Sequence, residues 1–314
     1  MIIVKNLIFE YPTLRALDDV AFAIEPNTVT ALIGPNGAGK TTLMRCIAAL
    51  DVPLSGTIEV DGLDVERHPR EVHARMGFLY DFYGLYDDLS VTQSLIHRAG
   101  AQGVPSDQRA RRVARAAERL KLTEKLDQQV GALSRGWRQR LSIALNIVHE
   151  PKLLLLDEPA SGLDPVARDD LSATLRELHK SGMTIMVSSH ILSELEDYST
   201  HVLAIDNGRI SSFAPLAPPR PPTQIDLELT LSEPCADLGD KLPAGVDLVS
   251  NEGAKCVLQA PDDPNQRRDL LKYLVGQDVP VAGMEVVAQS LRDSYLAQAR
   301  DNNVEGQQNM DFNE

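Results

Sequence analysis

Apolar positions recur along this chain with two different periods, and the changes between them divide it into elements. Residues 2–8 and 56–60 carry early β signals, which suggest an antiparallel portion of sheet. Residues 29–33 and 184–187 are apolar apart from Thr30 and Thr184, and residues 153–156 form a continuous apolar run; the three are ended by Gly34, by Ser188-Ser189-His190 and by Asp157-Glu158. Such runs suit strands buried on both faces. Helical spacing follows the first run over residues 40–50, fills most of 90–150, and recurs in a helix ending near Gly182. Strand and helix signals therefore alternate over residues 1–212. That predicts an α/β fold, a mixed sheet flanked by helices, with an inserted helical subdomain at about 86–150.

The pattern breaks at residues 213–224. Five prolines fall within residues 215–222, which predicts a semi-rigid linker with neither helix nor sheet ladder. Beyond it, residues 225–231 alternate as a strand, and residues 246–250 and 255–259 predict a hairpin around Asn251-Glu252-Gly253. A helix over 267–275 and a strand over 284–288 complete a small α+β domain spanning 225–298. The polar stretch 299–314 is expected to be disordered.

Charge narrows the partners. The net charge is −14, with 23 basic against 28 acidic residues up to Ser212 and 8 against 17 from Phe213 onward. No broad phosphate-backbone surface is expected, so nucleic acid is excluded as a partner. The basic stretch 109–125 (Arg111, Arg112, Arg115, Arg119) reads as a solvated helix face. Cys46, Cys235 and Cys256 are far apart and lack a CxxC or histidine cluster, which argues for buried or incidental thiols in a reducing compartment. The opening Met1-Ile2-Ile3-Val4-Lys5 has no leader pattern, and no run approaches the ~20 apolar residues of a spanning helix. A soluble chain is expected, with any membrane role reached through a partner.

Three segments carry chemistry. Gly34-Pro35-Asn36-Gly37-Ala38-Gly39-Lys40-Thr41-Thr42 follows a strand signal and opens a helix. Its glycines let consecutive N–H groups face phosphates, Lys40 reaches the terminal phosphate oxygens, and Thr41 offers a hydroxyl to Mg²⁺. Asp157 and Glu158, at a strand end, suit a Mg²⁺ ligand and a general base acting on water. Leu133-Ser134-Arg135-Gly136-Trp137-Arg138-Gln139-Arg140 precedes a helix predicted over 139–148. There Ser134 and Gly136 form a second anion cradle. One phosphate site does not need two cradles.

These motifs, with Ser161-Gly162-Leu163-Asp164 and Ser188-Ser189-His190, occur in the order found in the ABC ATPase family, which residues 1–210 resemble. The resemblance implies a P-loop NTPase core in which two copies close head-to-tail on two ATP molecules. Ser134 and Gly136 of one copy would then contact the nucleotide held by Lys40 of the other. Asp164 would lie across that interface, His190 would bind the γ-phosphate, and Tyr11 would stack on adenine. The family's glutamine that touches Mg²⁺ and water aligns with Asp81, which would then serve as a metal ligand and slow turnover or couple it more tightly to the partner.

Five of the fourteen aromatic residues lie at Phe78, Tyr80, Phe82, Tyr83 and Tyr86. Alternation places Phe78 and Tyr80 in the core. The others fit the groove where the family receives a cytoplasmic helix of its membrane subunit. The LSRGWRQR form and the ending Ser290-Leu291-Arg292-Asp293-Ser294-Tyr295-Leu296 are similar to exporter ATPases of the ABC-2 group. The resemblance thus implies an ATP-hydrolysing, Mg²⁺-dependent homodimer bound to a separate permease at the cytoplasmic face of the cell membrane, with export the expected direction. The alternative is a soluble ABC ATPase of DNA repair, translation or regulation. Long coiled coils and a second cassette, which mark the first two, are missing here.

Overall fold

The computed structural model describes residues 1–80, 84–189, 195, 198–216, 224–235, 237–243, 245–261 and 263–287. Asp81, Phe82, Tyr83, His190, the prolines at 218–222 and the segment 288–314 lie outside them. Two compact units divide the chain after Leu216, and each is described by itself.

In the first unit, β1 (Ile2–Tyr11), β2 (Leu14–Ile24), β4 (Ser55–Val60) and β5 (Leu63–Asp64) form an antiparallel sheet in the order β2-β1-β4-β5. Ile2 and Val4 alternate inward, then the β1–β2 register shifts before Leu7. Asn6 takes up the shift at φ 47° and bonds Asp19, itself at φ 54°. A second sheet contains β3 (Val29–Ile33), β6 (Met76–Leu79), β7 (Leu153–Leu156), β8 (Thr184–Ser189), β9 (His201–Asp206) and β10 (Arg209–Pro215). Its order is β10-β9-β3-β8-β7-β6, parallel throughout except for β10 at the edge. Every residue of β3, β7 and β8 is buried, the physical reason their sequences carry no exposed charge and are apolar apart from small hydroxyl residues. Leu7, Leu17, Leu32, Leu43, Leu155 and Leu203 belong to one core that joins the two sheets.

Six helices accompany these strands among the described residues. They are α1 (Lys40–Ile47), α2 (Pro69–Arg75), α3 (Val91–Ala101), α4 (Ser106–Arg119), α5 (Arg135–Ile147) and α6 (Pro165–Lys180). Ser90 and Gln93 close a reciprocal capping box at the start of α3. Helix α1 stops at Ile47, short of the expected Leu50, because Ala49 turns left-handed at φ 53°. The basic helix α4 is less solvated than its sequence suggests. Arg112 and Arg115 both pair with Glu150, and Arg112 also donates to the His149 carbonyl.

Phe213–Pro215, expected to begin the linker, instead complete β10, where Pro215 pairs with His201. The proline is tolerated because it is the last residue of an edge strand, where no ladder N–H is required.

The second unit is an antiparallel sheet in the order β12-β13-β11-β14, comprising β11 (Gln224–Leu231), β12 (Asp247–Asn251), β13 (Lys255–Pro261) and β14 (Val281–Val287). Helix α7 (Pro264–Gly276) accompanies it. Leu227, Leu229, Cys256, Leu258, Leu270 and Leu274 form its separate core. The alternation of β11 produces this directly, since Leu227, Leu229 and Leu231 fall on one face.

Candidate functional site

Strand order brings the separated motifs together. Because β8 lies between β3 and β7, the phosphate loop, Ser188 and Asp157-Glu158 leave the carboxyl ends of three adjacent strands. In open parallel sheets this edge is where ligands bind. The loop from Gly34 to Gly39 turns directly into α1. Gly39 adopts φ 107°, and a side-chain carbon there would lie 2.7 Å from the Ala16 carbonyl oxygen. Only glycine fits. Lys40, 7 % exposed, donates from Nζ to the carbonyls of Gly34 at 2.8 Å and Pro35 at 3.2 Å. Burial holds its pKa below the usual lysine value, against the opposing pull of Glu158 and Asp157.

Thr41 and the two acidic residues are joined by a short chain of hydrogen bonds. The Thr41 hydroxyl donates to Asp157 Oδ2 at 2.7 Å, and the Ser188 hydroxyl donates to Asp157 Oδ1. Ser188 Oγ also accepts from the Glu158 backbone N–H at 2.9 Å. The Asp157 N–H is held by the Leu79 carbonyl at 2.9 Å. Glu158 itself sits at φ 48°, a left-handed conformation that a glutamate adopts only when its surroundings impose it. One buried serine therefore orients both carboxylate residues. Reading Ser188-Ser189-His190 for its histidine missed that serine. Its position at the end of a buried strand beside the Asp-Glu strand was the available signal.

The remaining candidates are placed as follows. Tyr11, 43 % exposed, brings its hydroxyl within 3.3 Å of Thr42 Oγ1 and packs edge-on against Phe9. Ser134 occupies the N-cap position of α5, exposed and with no side-chain cap bond. The helix begins at Arg135, four residues before the expected start, so Gly136 lies in its first turn, not in a loop. Trp137 is held between two cations, Lys125 at 5.6 Å and Arg140 at 5.2 Å from the ring centre. Asp164 caps α6 of its own chain, accepting from the Ala167 N–H at 2.9 Å. Tyr80, expected in the core, is 42 % exposed, because Arg45 lies 5.6 Å over its ring instead. Asp81 and His190 lie outside the described residues.

Between the sheet and the helical region run two hollows. One of about 650 Å³ is lined by Leu50, Arg70, His73, Phe78, Arg98 and Gln102. The other, of about 330 Å³, is lined by Phe78, Tyr80, Tyr86, His97 and Asn146. No helix among the described residues is long and apolar enough to cross a membrane.

Comparison with known proteins agrees with this geometry. A family model described as ABC transporter matches residues 17–161. The uncharacterized ABC transporter ATP-binding protein YxlF of Bacillus subtilis is 30 % identical over 298 residues, covering 94 % of this chain and 98 % of that protein. The Nod factor export ATP-binding protein I of Cupriavidus metallidurans is 36 % identical over 193 residues, 62 % of this chain and 64 % of its own length. This chain thus spans just under two thirds of that relative. A solved ATP-binding subunit of an ABC transporter superposes with a TM-score of 0.62 at 30 % identity, covering 69 % of this chain and 90 % of that one. These likenesses are to transporter subunits, which favours transport over the soluble alternative. Motif order, sheet topology and relatives agree: the chain belongs to the ABC transporter family, as one of its nucleotide-binding ATPase subunits.

Proposed function

We propose that two copies of this chain close on two ATP molecules and drive export through a separate permease at the cytoplasmic face of the cell membrane. The observation that carries this reading is the bonded chain Thr41–Asp157–Ser188–Glu158 beneath the phosphate loop. The donor set of Thr41 hydroxyl and Asp157 carboxylate is all hard oxygen. It fits Mg²⁺, which binds through one or two protein ligands and the phosphates of its substrate. When bound, the ion would neutralise charge on the terminal phosphates.

Lys40 and the N–H groups of residues 36–42 bind the phosphates, with the start of α1 adding its positive end. Tyr11 offers an aromatic face to the adenine. Glu158 accepts a proton from the attacking water, and its backbone N–H is pinned by Ser188 so that the carboxylate is presented at one place. His190 contacts the γ-phosphate, and Asp81 takes the place of the family's metal-touching glutamine. The exposed Ser134 and the first turn of α5 form the half-site for the partner copy's γ-phosphate. Asp164 lies at the same interface while capping α6. The hollows around Phe78 and Tyr86 receive a cytoplasmic segment of the permease, Phe82 and Tyr83 contributing to the contact. The export direction rests on similarity to the Nod factor export protein and on the LSRGWRQR form.

The test is Glu158→Gln in the full chain. Hydrolysis should be lost, while ATP converts the protein to a dimer stable in gel filtration. Turnover at the wild-type rate would remove Glu158 from the role of base.

A further inference from the structure

Beside the catalytic carboxylates lies a small cavity of about 40 Å³, bordered by Leu79, Tyr80, Arg135, Gln139, Asp157 and Glu158. Gln139 reaches it from the second turn of α5. The residue is 1 % exposed, yet neither its amide nitrogen nor its amide oxygen has a hydrogen-bond partner among the described residues. An amide buried in this way is strongly unfavourable unless something bonds it. A polar cavity of this size admits on the order of two water molecules.

Arg135 lies one helical turn before Gln139, on the same face of α5. Its guanidinium donates to the Ser161 carbonyl at 2.8 Å and lies beside Gly162, where a side-chain carbon would collide with Cζ. Gly162 accommodates it at φ 66°. Two residues of α5 thus reach, by separate routes, the turn that follows Glu158. The same helix opens with Ser134 and Gly136.

We infer that Gln139, through water in this cavity, and Arg135, through Ser161, are positioning residues that tie α5 of a chain to its own Glu158. Engagement of Ser134 by the partner's nucleotide would then set the carboxylate that serves the chain's own nucleotide. Neither residue touches substrate. The link would make each site's turnover depend on occupancy of the other. This inference rests on the assignment of Glu158 as base.

The experiment measures steady-state ATPase activity, ATP affinity and thermal midpoint for the full chain carrying Gln139→Leu, Arg135→Ala or Arg135→Lys, with Glu158→Gln alongside. Gln139→Leu and Arg135→Ala should lower kcat about tenfold, while KM and ATP affinity stay within about twofold. Arg135→Lys should recover part of the loss, because an ammonium can still donate to Ser161. The Glu158→Gln dimer should still form when Gln139→Leu is added. Wild-type kcat in both variants overturns the link, as does a fall in kcat matched by equal losses of affinity and thermal midpoint. Should Gln139→Leu fail to fold, Arg135→Ala decides alone, since that side chain is exposed. If Glu158→Gln itself hydrolyses ATP, the base assignment fails and the link with it. If Glu158→Gln is inactive while Gln139→Leu and Arg135→Ala behave as wild type, only the link fails.

Discussion

Replacing Ser188 by alanine removes a single oxygen from the centre of the site. The residue is fully buried on β8, flanked by β3 and β7, so the strand itself has no reason to move. Two interactions vanish: the bond accepted from the Glu158 N–H and the bond donated to the Asp157 carboxylate. The first is a neutral bond of ~1 kcal/mol and the second, to a charged group, ~1.5–3 kcal/mol, so the variant should lose roughly 2–4 kcal/mol of stability. For a unit of this size each kcal/mol shifts the midpoint by ~2–4 °C, so Tm should fall by roughly 5–15 °C. Release of Glu158 from its left-handed conformation should misplace the base, at a cost of about ten- to a hundredfold in kcat. ATP affinity should change little, since the phosphate loop keeps its own contacts. Ser188→Cys, similar in size with a weak S–H donor, should fall between the two. Thermal unfolding and steady-state hydrolysis of the purified full chain measure both effects. A midpoint within about 1 °C of wild type together with unchanged kcat would refute the argument that Ser188 orients the acidic pair.

Two other perturbations test separate parts of the molecule. Tyr11→Ala should weaken ATP binding by ~1–3 kcal/mol, read by titration, while leaving the thermal midpoint of the nucleotide-free chain nearly unchanged; equal affinity would exclude stacking. His149 is 8 % exposed, with Nε2 3.0 Å from the Met76 carbonyl, and burial holds its pKa below the usual 6.5. Above pH 6.5 both states leave it neutral, but on acidification the unfolded chain takes up a proton that the native chain refuses. Stability should therefore decline as pH falls below that value, by up to ~1.4 kcal/mol per pH unit from this group, until the folded pKa is passed. Urea midpoints between about pH 7.5 and 5.5 should show a shallower slope in His149→Gln; identical slopes would assign the decline to other groups.

Sequence pattern was a good guide wherever a strand is buried on both faces. The runs at 29–33, 153–156 and 184–187 all lie in such strands, the last extending two residues further through the buried Ser188 and Ser189. It was a poorer guide at Leu14–Ile24, where Asp18 and Asp19 interrupt the alternation. Those acids are explained only by partners elsewhere, Arg15 and Arg209 for Asp18 and Asn6 for Asp19. Helix α5 starts at Arg135, four residues before the start that the pattern predicts. Packing decides otherwise, with Trp137 held by Lys125 and Arg140. That Lys40, Thr41, Asp157 and Glu158 lie together could be expected from type and spacing alone. The parts played by Ser188 and Arg135 could not, because their partners lie 26 or more residues away, and the buried amide of Gln139 has no partner among the described residues that spacing could have indicated.

Lys40 is usually thought of by what it offers a phosphate, but here its ammonium also closes the loop that carries it. With the carbonyls of Gly34 and Pro35 as acceptors, the cation braces the turn between β3 and α1. An arriving anion would exchange partners with these carbonyls instead of stripping water from a free charge. Substituting the lysine would accordingly cause two losses at once, the anion contact and the brace. A variant lacking it measures the rigidity of the loop as much as its affinity for nucleotide, and Lys40→Arg, which keeps a donor, would be needed to tell the two apart.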